Sequence, residues 1–257
     1  MTVFRLLYRI PWLILHLVLG LPPTVIAQTA PFRSMHVGGE RVSDLFLYWW
    51  SGSICAIFGL RRRIRGEFTP GAQLVVANHI SWLDIQLLHS VSPMGFVAKA
   101  EIQKWPLAGW IAGFGDTVFH HRGSHDSASG VASVMAQRLR EGSKIAVFPE
   151  GGILPGEGIK RFHARLFAAA QDTGTPVQPV MIRYQRGEEH DLSMTFLPGE
   201  SFMANFFRLL GQAPCLAELD ILPLIDPAAM QRRELASAAE SAIRKAYTLS
   251  DSEQPGE

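Results

Sequence analysis

The sequence predicts an α/β fold: a mostly parallel sheet flanked by helices, with an N-terminal membrane-associated helical hairpin. Three observations carry that expectation. Short apolar runs that read as buried strands alternate with segments whose apolar residues recur at helical spacing. Polar residues able to do chemistry stand directly after those runs, where open α/β sheets gather their ligands. Two charge-free stretches, residues 10–32 and 45–60, precede the first strand. The 257 residues suffice for one sizeable domain with appendages. We divide them into a membrane-associated helical region over 1–60, the main domain over 61–249 and a disordered tail over 250–257.

In the first charge-free stretch the densely apolar part, residues 13–21, is nine residues long, and Pro22-Pro23 is expected to end any helix there. A helix of that length reaches about 14 Å, against about 30 Å of hydrocarbon. The second stretch spans sixteen residues, about 24 Å as a helix, which is also short of a crossing. Phe46, Tyr48, Trp49 and Trp50 cluster at one end of it, and Arg61, Arg62, Arg63 and Arg65 follow. Aromatic rings settle at headgroup level and arginines attract anionic lipid. The expectation is two short helices that dip into one leaflet; a single span over 6–27 and a core hairpin are the alternatives.

The main domain then reads in order. Residues 63–66 form an edge strand, 74–77 a central strand, 95–98 a third and 115–120 a fourth. A helix covers 126–140, with Val131, Val134, Met135 and Leu139 on one face. A strand follows at 144–148, a Gly-rich loop at 151–158 and a helix at 163–171 that ends before Gly174. Strands are expected at 177–184 and 192–196, a short apolar helix at 202–210, a strand at 216–222 and a closing helix at 228–247.

Composition narrows the function classes. At 47% hydrophobic and 18% charged, the chain is apolar for a soluble protein and too polar for a multi-span transporter. A net charge of +1 gives no global attraction to nucleic acid. Cys55 and Cys215 have no metal-type spacing, and no disulfide framework is expected, which suits a reducing compartment.

The stretch with the most chemistry is Ala77-Asn78-His79-Ile80-Ser81-Trp82-Leu83-Asp84. His79 falls in the turn after a strand, and Asp84 in the first turn of the next helix. A turn that doubles back can bring the imidazole and the carboxylate together. The carboxylate then holds one tautomer and leaves the other ring nitrogen to take a proton from a hydroxyl. The same spacing fits a capping box from Ser81 to Asp84, which would need no histidine. Arg122 suits a phosphate, because guanidinium offers two parallel hydrogen bonds. Gly151 and Gly152 leave backbone N–H groups open to an anion. Lys99, at a strand end, is a candidate for oxyanion or phosphate contact, or a solvated lysine. His120, His121 and His125 have no carboxylate or thiolate pattern beside them, so no metal site is expected. There is no Gly-x-Ser-x-Gly elbow, which favours direct attack by an acceptor hydroxyl without an acyl-enzyme; Ser81 reads as a cap rather than a nucleophile.

Taken together, Asn78-His79 with Asp84, the block from Gly115 to Arg122, Phe148-Pro149-Glu150-Gly151 and Pro176 to Val180 appear in the order of a known family. The chain resembles the glycerolipid acyltransferases, whose best-known members are the 1-acylglycerol-3-phosphate acyltransferases. The similarity covers roughly residues 60 to 225. The resemblance implies a membrane-bound acyltransferase acting on the cytoplasmic side of the inner membrane. It would move a fatty acyl group from acyl-CoA or acyl carrier protein, with no further cofactor, to a lysophospholipid hydroxyl. Lysophosphatidate is the first expected acceptor and another lysolipid, such as lyso-ornithine lipid, the alternative. A non-enzymatic lipid-binding module is the alternative from another class. His79 would be the base, Asp84 its orienter, Arg122 a phosphate ligand and Glu150 an acceptor-site residue. Relatives commonly carry Thr and often Arg after the glycine; here Gly152-Ile153 stand instead. That departure puts the acceptor's identity in doubt, with Lys160 or Arg161 as possible replacements.

Overall fold

A computed structural model of the chain describes residues 1–99, 117–120, 125–153 and 158–249. The expected disordered tail lies outside them. The chain opens with α1 (Thr2–Leu15), a π-helical turn (His16–Gly20) and α2 (Leu21–Ala27). A small ribbon, β1 (His36–Val37) and β2 (Glu40–Arg41), leads into α3 (Val42–Ile57). Then come β3 (Leu60–Arg65), β4 (Gln73–Ala77), α4 (Leu83–His89), β5 (Gly95–Lys99) and β6 (Val118–His120). Next are α5 (His125–Arg140), β7 (Lys144–Val147), a 3-10 turn (Ala164–Phe167) and α6 (Ala168–Thr173). The chain closes with β8 (Val177–Arg186), β9 (Glu189–His190), α7 (Phe202–Gly211), β10 (Cys215–Ile221) and α8 (Arg232–Leu249).

The main sheet runs β3-β10-β8-β4-β7-β5-β6, with β9 paired to β8. Strands β4 to β8 are mutually parallel; β10 is antiparallel to β8, and β3 runs with β10. Every residue of β4 is buried, as the centre of a sheet covered on both faces requires. Its side chains alternate between two cores. Val75 and Ala77 join Trp50, Ile54, Phe58, Leu83 and Leu87 on one face. Leu74 and Val76 join Met135, Phe167, Leu235 and Ile243 on the other. The first core thus draws six side chains from residues 1–60: Leu13, Trp50, Ile54, Cys55, Phe58 and Leu60.

The structure corrects the N-terminal expectation. Thr2–Ala27 is one continuous helical run of 26 residues, about 39 Å, and is long and apolar enough to cross a membrane. Pro22 and Pro23 do not end it. They occupy the first turn of α2, where a missing N–H is tolerated, directly after the wider π turn. Arg9, Leu13, His16, Gly20, Thr24 and Ala27 are buried at steps of three and four along the whole run. Its opposite face exposes Phe4, Leu7, Trp12, Val18 and Leu19. Trp50 is not a headgroup anchor: it is buried and stacks on His16, with ring centroids 4.3 Å apart. Nor is the whole arginine cluster free for lipid. Arg63 and Arg65 sit on the edge strand and pair with Glu218, which buried Arg183 also holds; Arg65 reaches Asp220 as well.

Three further elements differ. The segment after His163 begins as a 3-10 turn before α6, and left-handed Gly174 (φ 67°) ends it. Residues 192–196 are not a strand. The Asp191 carboxylate accepts from Ser193 N–H and curls Leu192–Met194 into a 3-10 turn. The closing helix starts at Arg232, four residues later than expected, with Glu234 accepting from Gln231 N–H just before it.

One consequence concerns acid stability. His89, at the end of α4, is buried edge-on against Phe96, and its Nδ1 has no partner among the described residues. Burial pushes its pKa from 6.5 down to about 4. Between those values the unfolded chain binds the extra proton, so stability is present above pH 6.5 and is lost as pH falls toward 4. The expected loss is about 3 kcal/mol. Thermal melts from pH 7 to 4.5 should show a shallower pH slope for His89→Phe than for the wild type; equal slopes would rule this origin out.

Candidate active site

The site forms where β4 and β7 end side by side. Val76 and Val147 are register partners on these parallel strands, so the residues just beyond each emerge together. Asn78 fixes the exit from β4. Its amide donates to the Ile182 carbonyl and its oxygen accepts from Ile182 N–H, both at 2.8 Å, extending the β4–β8 ladder by side chain. This positions the turn that carries His79.

The turn then doubles back as its spacing suggested. His79 Nδ1–H donates to Asp84 Oδ2 at 2.9 Å. The same oxygen accepts from Ile80 N–H at 2.7 Å and Ser81 N–H at 3.0 Å. Oδ1 accepts from the Tyr184 hydroxyl at 2.7 Å. Asp84 therefore serves both readings of the spacing, closing the helix N-terminus and holding the imidazole. Ser81 is buried and its hydroxyl accepts from Leu83 N–H at 3.4 Å, a capping contact. Asp84 is fully buried, yet four donors surround its charge, which makes that burial tolerable. Tyr184 is buried too; burial, then the Asp84 charge, push its pKa well above 10, so it stays a donor.

The imidazole is held on a second side. Phe148, just past β7, stacks on it with ring centroids 3.8 Å apart and planes 12° from parallel. Glu150 Oε1 accepts from His79 N–H at 2.8 Å, and Oε2 accepts from Lys160 N–H at 2.9 Å. Burial raises the Glu150 pKa against the pull of these two N–H groups. Gly151 needs its freedom: φ is +83°, and a Cβ there would stand 3.3 Å from His163 Nε2. With Nδ1 donating to Asp84, Nε2 keeps its lone pair. It has no partner among the described residues, and so can accept a proton from a bound hydroxyl.

Of the expected site residues, His79, Asp84, Glu150 and Gly151 are thus brought together. Lys99 ends β5 at the same edge of the sheet, paired with His120 in register. Arg122 lies outside the described residues, as do the side chains of His120, His121 and His125. A cavity beside His79 is lined by Asn78, Glu150, Lys160, Tyr184, Asp191 and Tyr247, among others. The sequence does not single out Tyr184, and it gives Asn78 and Phe148 only as members of the family-like blocks, without a role. Tyr184 lies 100 residues from its partner Asp84. A further signal for Asn78 is a polar side chain directly after the apolar run 74–77.

A mostly parallel sheet delivering a histidine–aspartate couple to the carboxyl ends of its strands defines an α/β enzyme. Comparison with known proteins makes this specific. A family model described as acyltransferase matches residues 61–183. A lyso-ornithine lipid O-acyltransferase of Pseudomonas aeruginosa is 38% identical over 198 residues, 77% of this chain and 76% of that one. A 1-acyl-sn-glycerol-3-phosphate acyltransferase of Neisseria gonorrhoeae is 38% identical over 115 residues, 45% of each chain. The crystal structure of the 1-acyl-sn-glycerophosphate acyltransferase PlsC of Thermotoga maritima shares the fold. Its TM-score is 0.75 at 20% identity, over 99% of this chain and 98% of that one. The chain belongs to the acyltransferase family.

Proposed function

We propose that this acyltransferase moves a fatty acyl group from acyl-CoA or acyl carrier protein to the free hydroxyl of a lyso-ornithine lipid. No cofactor takes part. This reverses the order of acceptors expected from the sequence, where lysophosphatidate came first. The observation that carries the reversal is the extent of similarity: the Pseudomonas relative matches 77% of the chain, the Neisseria relative 45%. One feature supports it: Gly152-Ile153 stand where the glycerolipid family commonly carries Thr and Arg.

In this reading His79 Nε2 takes the proton of the acceptor hydroxyl as that oxygen attacks the thioester carbonyl. Asp84 stabilises the imidazolium that forms, and the thiol leaves with a proton returned from His79. No acyl-enzyme forms. Lys99 and the Gly152 N–H are the candidates for the oxyanion; Gly151 N–H, expected from the sequence to be open to an anion, donates to the Phe148 carbonyl instead. The uniformly apolar outer face of Thr2–Ala27 rests on the membrane. Because the opposite face is packed on the domain along its length, the helix lies in one leaflet instead of crossing. The site faces the cytoplasm, where both donors are found.

An acceptor panel with labelled acyl donor and purified protein tests the assignment. The wild type is expected to acylate lyso-ornithine lipid at least about 10-fold faster than lysophosphatidate, a difference of about 1.4 kcal/mol in transition-state binding. Arg122→Ala should leave that preference nearly unchanged. A faster reaction with lysophosphatidate, reduced by Arg122→Ala, would restore the phosphate acceptor.

A further inference from the structure

Helix α7 is apolar on two faces. Leu209 and Leu210 are buried in the first core, as the inner face of a surface helix requires. Its polar residues do not supply the outer face: Asn205 is fully buried, and Arg208 folds back to the Glu200 carboxylate and the Ser193 and Thr195 carbonyls. The outward face carries Met203 (56% exposed), Ala204 and Phe207 (47%), with Leu197 beside it, and no charge. Water gains nothing from such a face, and Arg208 had the length to reach it.

α7 also touches the N-terminal helix. The Arg9 guanidinium donates to the Leu210 and Gln212 carbonyls at 2.8 Å. Gly211 lets the two backbones approach: a Cβ there would lie 2.7 Å from the Thr2 methyl. The exposed apolar residues of α1's first turns, Val3, Phe4 and Leu7, therefore belong to a helix in direct contact with α7. Behind the outward face, Phe206 stacks on Trp82, which donates to Asn205 through its indole N–H. Trp82 lies within the turn between His79 and Asp84.

We propose that α7 is a second lipid-contact element, continuous with the first turns of α1, whose outward side chains enter the acyl layer of a phospholipid bilayer. It would hold the His79–Asp84 turn one layer of rings away from that layer. The inference rests on the acyltransferase reading, in which the acceptor is an amphiphile that resides in a bilayer. Uncharged side chains on the outward face suit the hydrocarbon, while Arg5, donating to the Gly211 carbonyl, marks a polar rim.

The test is a fluorophore on Met203→Cys in the full chain, with the environment-sensitive NBD group as label. Cys55 and Cys215 are buried, so labelling is confined to position 203. With phosphatidylcholine vesicles, NBD emission should rise several-fold and shift to the blue, and brominated acyl chains should quench it. The same label at Arg244→Cys, on the other side of the sheet, should not respond. In addition, Phe207→Glu should slow acylation of a long-chain acceptor in vesicles by about tenfold or more. It should leave a short-chain acceptor, assayed as a monomer in solution, unaffected. An unresponsive label at 203 on protein that sediments with vesicles would overturn the proposal, as would a wild type that does not sediment with them. Equal effects of Phe207→Glu on both acceptors would overturn it too. The fluorescence needs no turnover, so a wrong choice of acceptor leaves this result standing.

Discussion

His79→Ala is expected to lower acyl transfer by about 10²- to 10⁴-fold while the protein keeps its fold. The imidazole is largely covered, but what it touches explains why the fold should survive. It stacks on Phe148 and bonds Asp84, and neither contact closes a core. Asp84→Asn should be as slow and also less stable. The carboxylate accepts from four donors, and an amide nitrogen in place of either oxygen would face at least one of them. The pair of variants separates the two roles of Asp84. If it only capped α4, Asp84→Asn would cost about 1 kcal/mol of stability, and the folded fraction would transfer acyl groups at the wild-type rate. Rates in the folded fraction, alongside denaturant unfolding, decide this. A near-native rate for His79→Ala would end the general-base reading.

Glu150→Gln is expected to slow transfer by about 10- to 150-fold, mainly in kcat. The side chain bridges two backbone N–H groups on separate segments, His79 at the end of β4 and Lys160 ten residues along its own loop. Glutamine keeps one acceptor and turns its amine toward the other N–H. One charge-assisted hydrogen bond, about 1.5–3 kcal/mol, would be lost. If that bond sets the position of His79, the chemical step slows and the acceptor KM stays put. If Glu150 instead binds the acceptor directly, as the family resemblance implied, KM rises and kcat is spared. Steady-state kinetics over acceptor concentration distinguish the two.

Much of this site was legible in the sequence because its partners are close in the chain or follow apolar runs. His79 and Asp84 are five residues apart, and local turn geometry alone suffices to join them. Glu150 could be placed near them because strands feed their trailing residues to one edge of a parallel sheet. Tyr184 could not: its role depends on β8 lying beside β4, a pairing that no local pattern specifies.

The N-terminal region shows the same boundary from the other side. Its apolar, charge-free character was evident in the sequence, but the helix lengths read from it were wrong. Pro22-Pro23 reads as a stop in the sequence, whereas a π turn and the packing of Gly20 against Trp49 carry the helix through. The sequence by itself determined the layered α/β class, the strand-end position of the chemistry and the histidine–aspartate couple, because hydrophobic period and short-range spacing encode them. Tertiary structure alone decided that Glu150 braces the backbone, that Arg63 and Arg65 are spent on Glu218 and Asp220, and that α7 leaves Met203 and Phe207 exposed while burying Leu209 and Leu210. Each of these depends on which distant backbone donors, charges and rings become neighbours once the sheet is assembled.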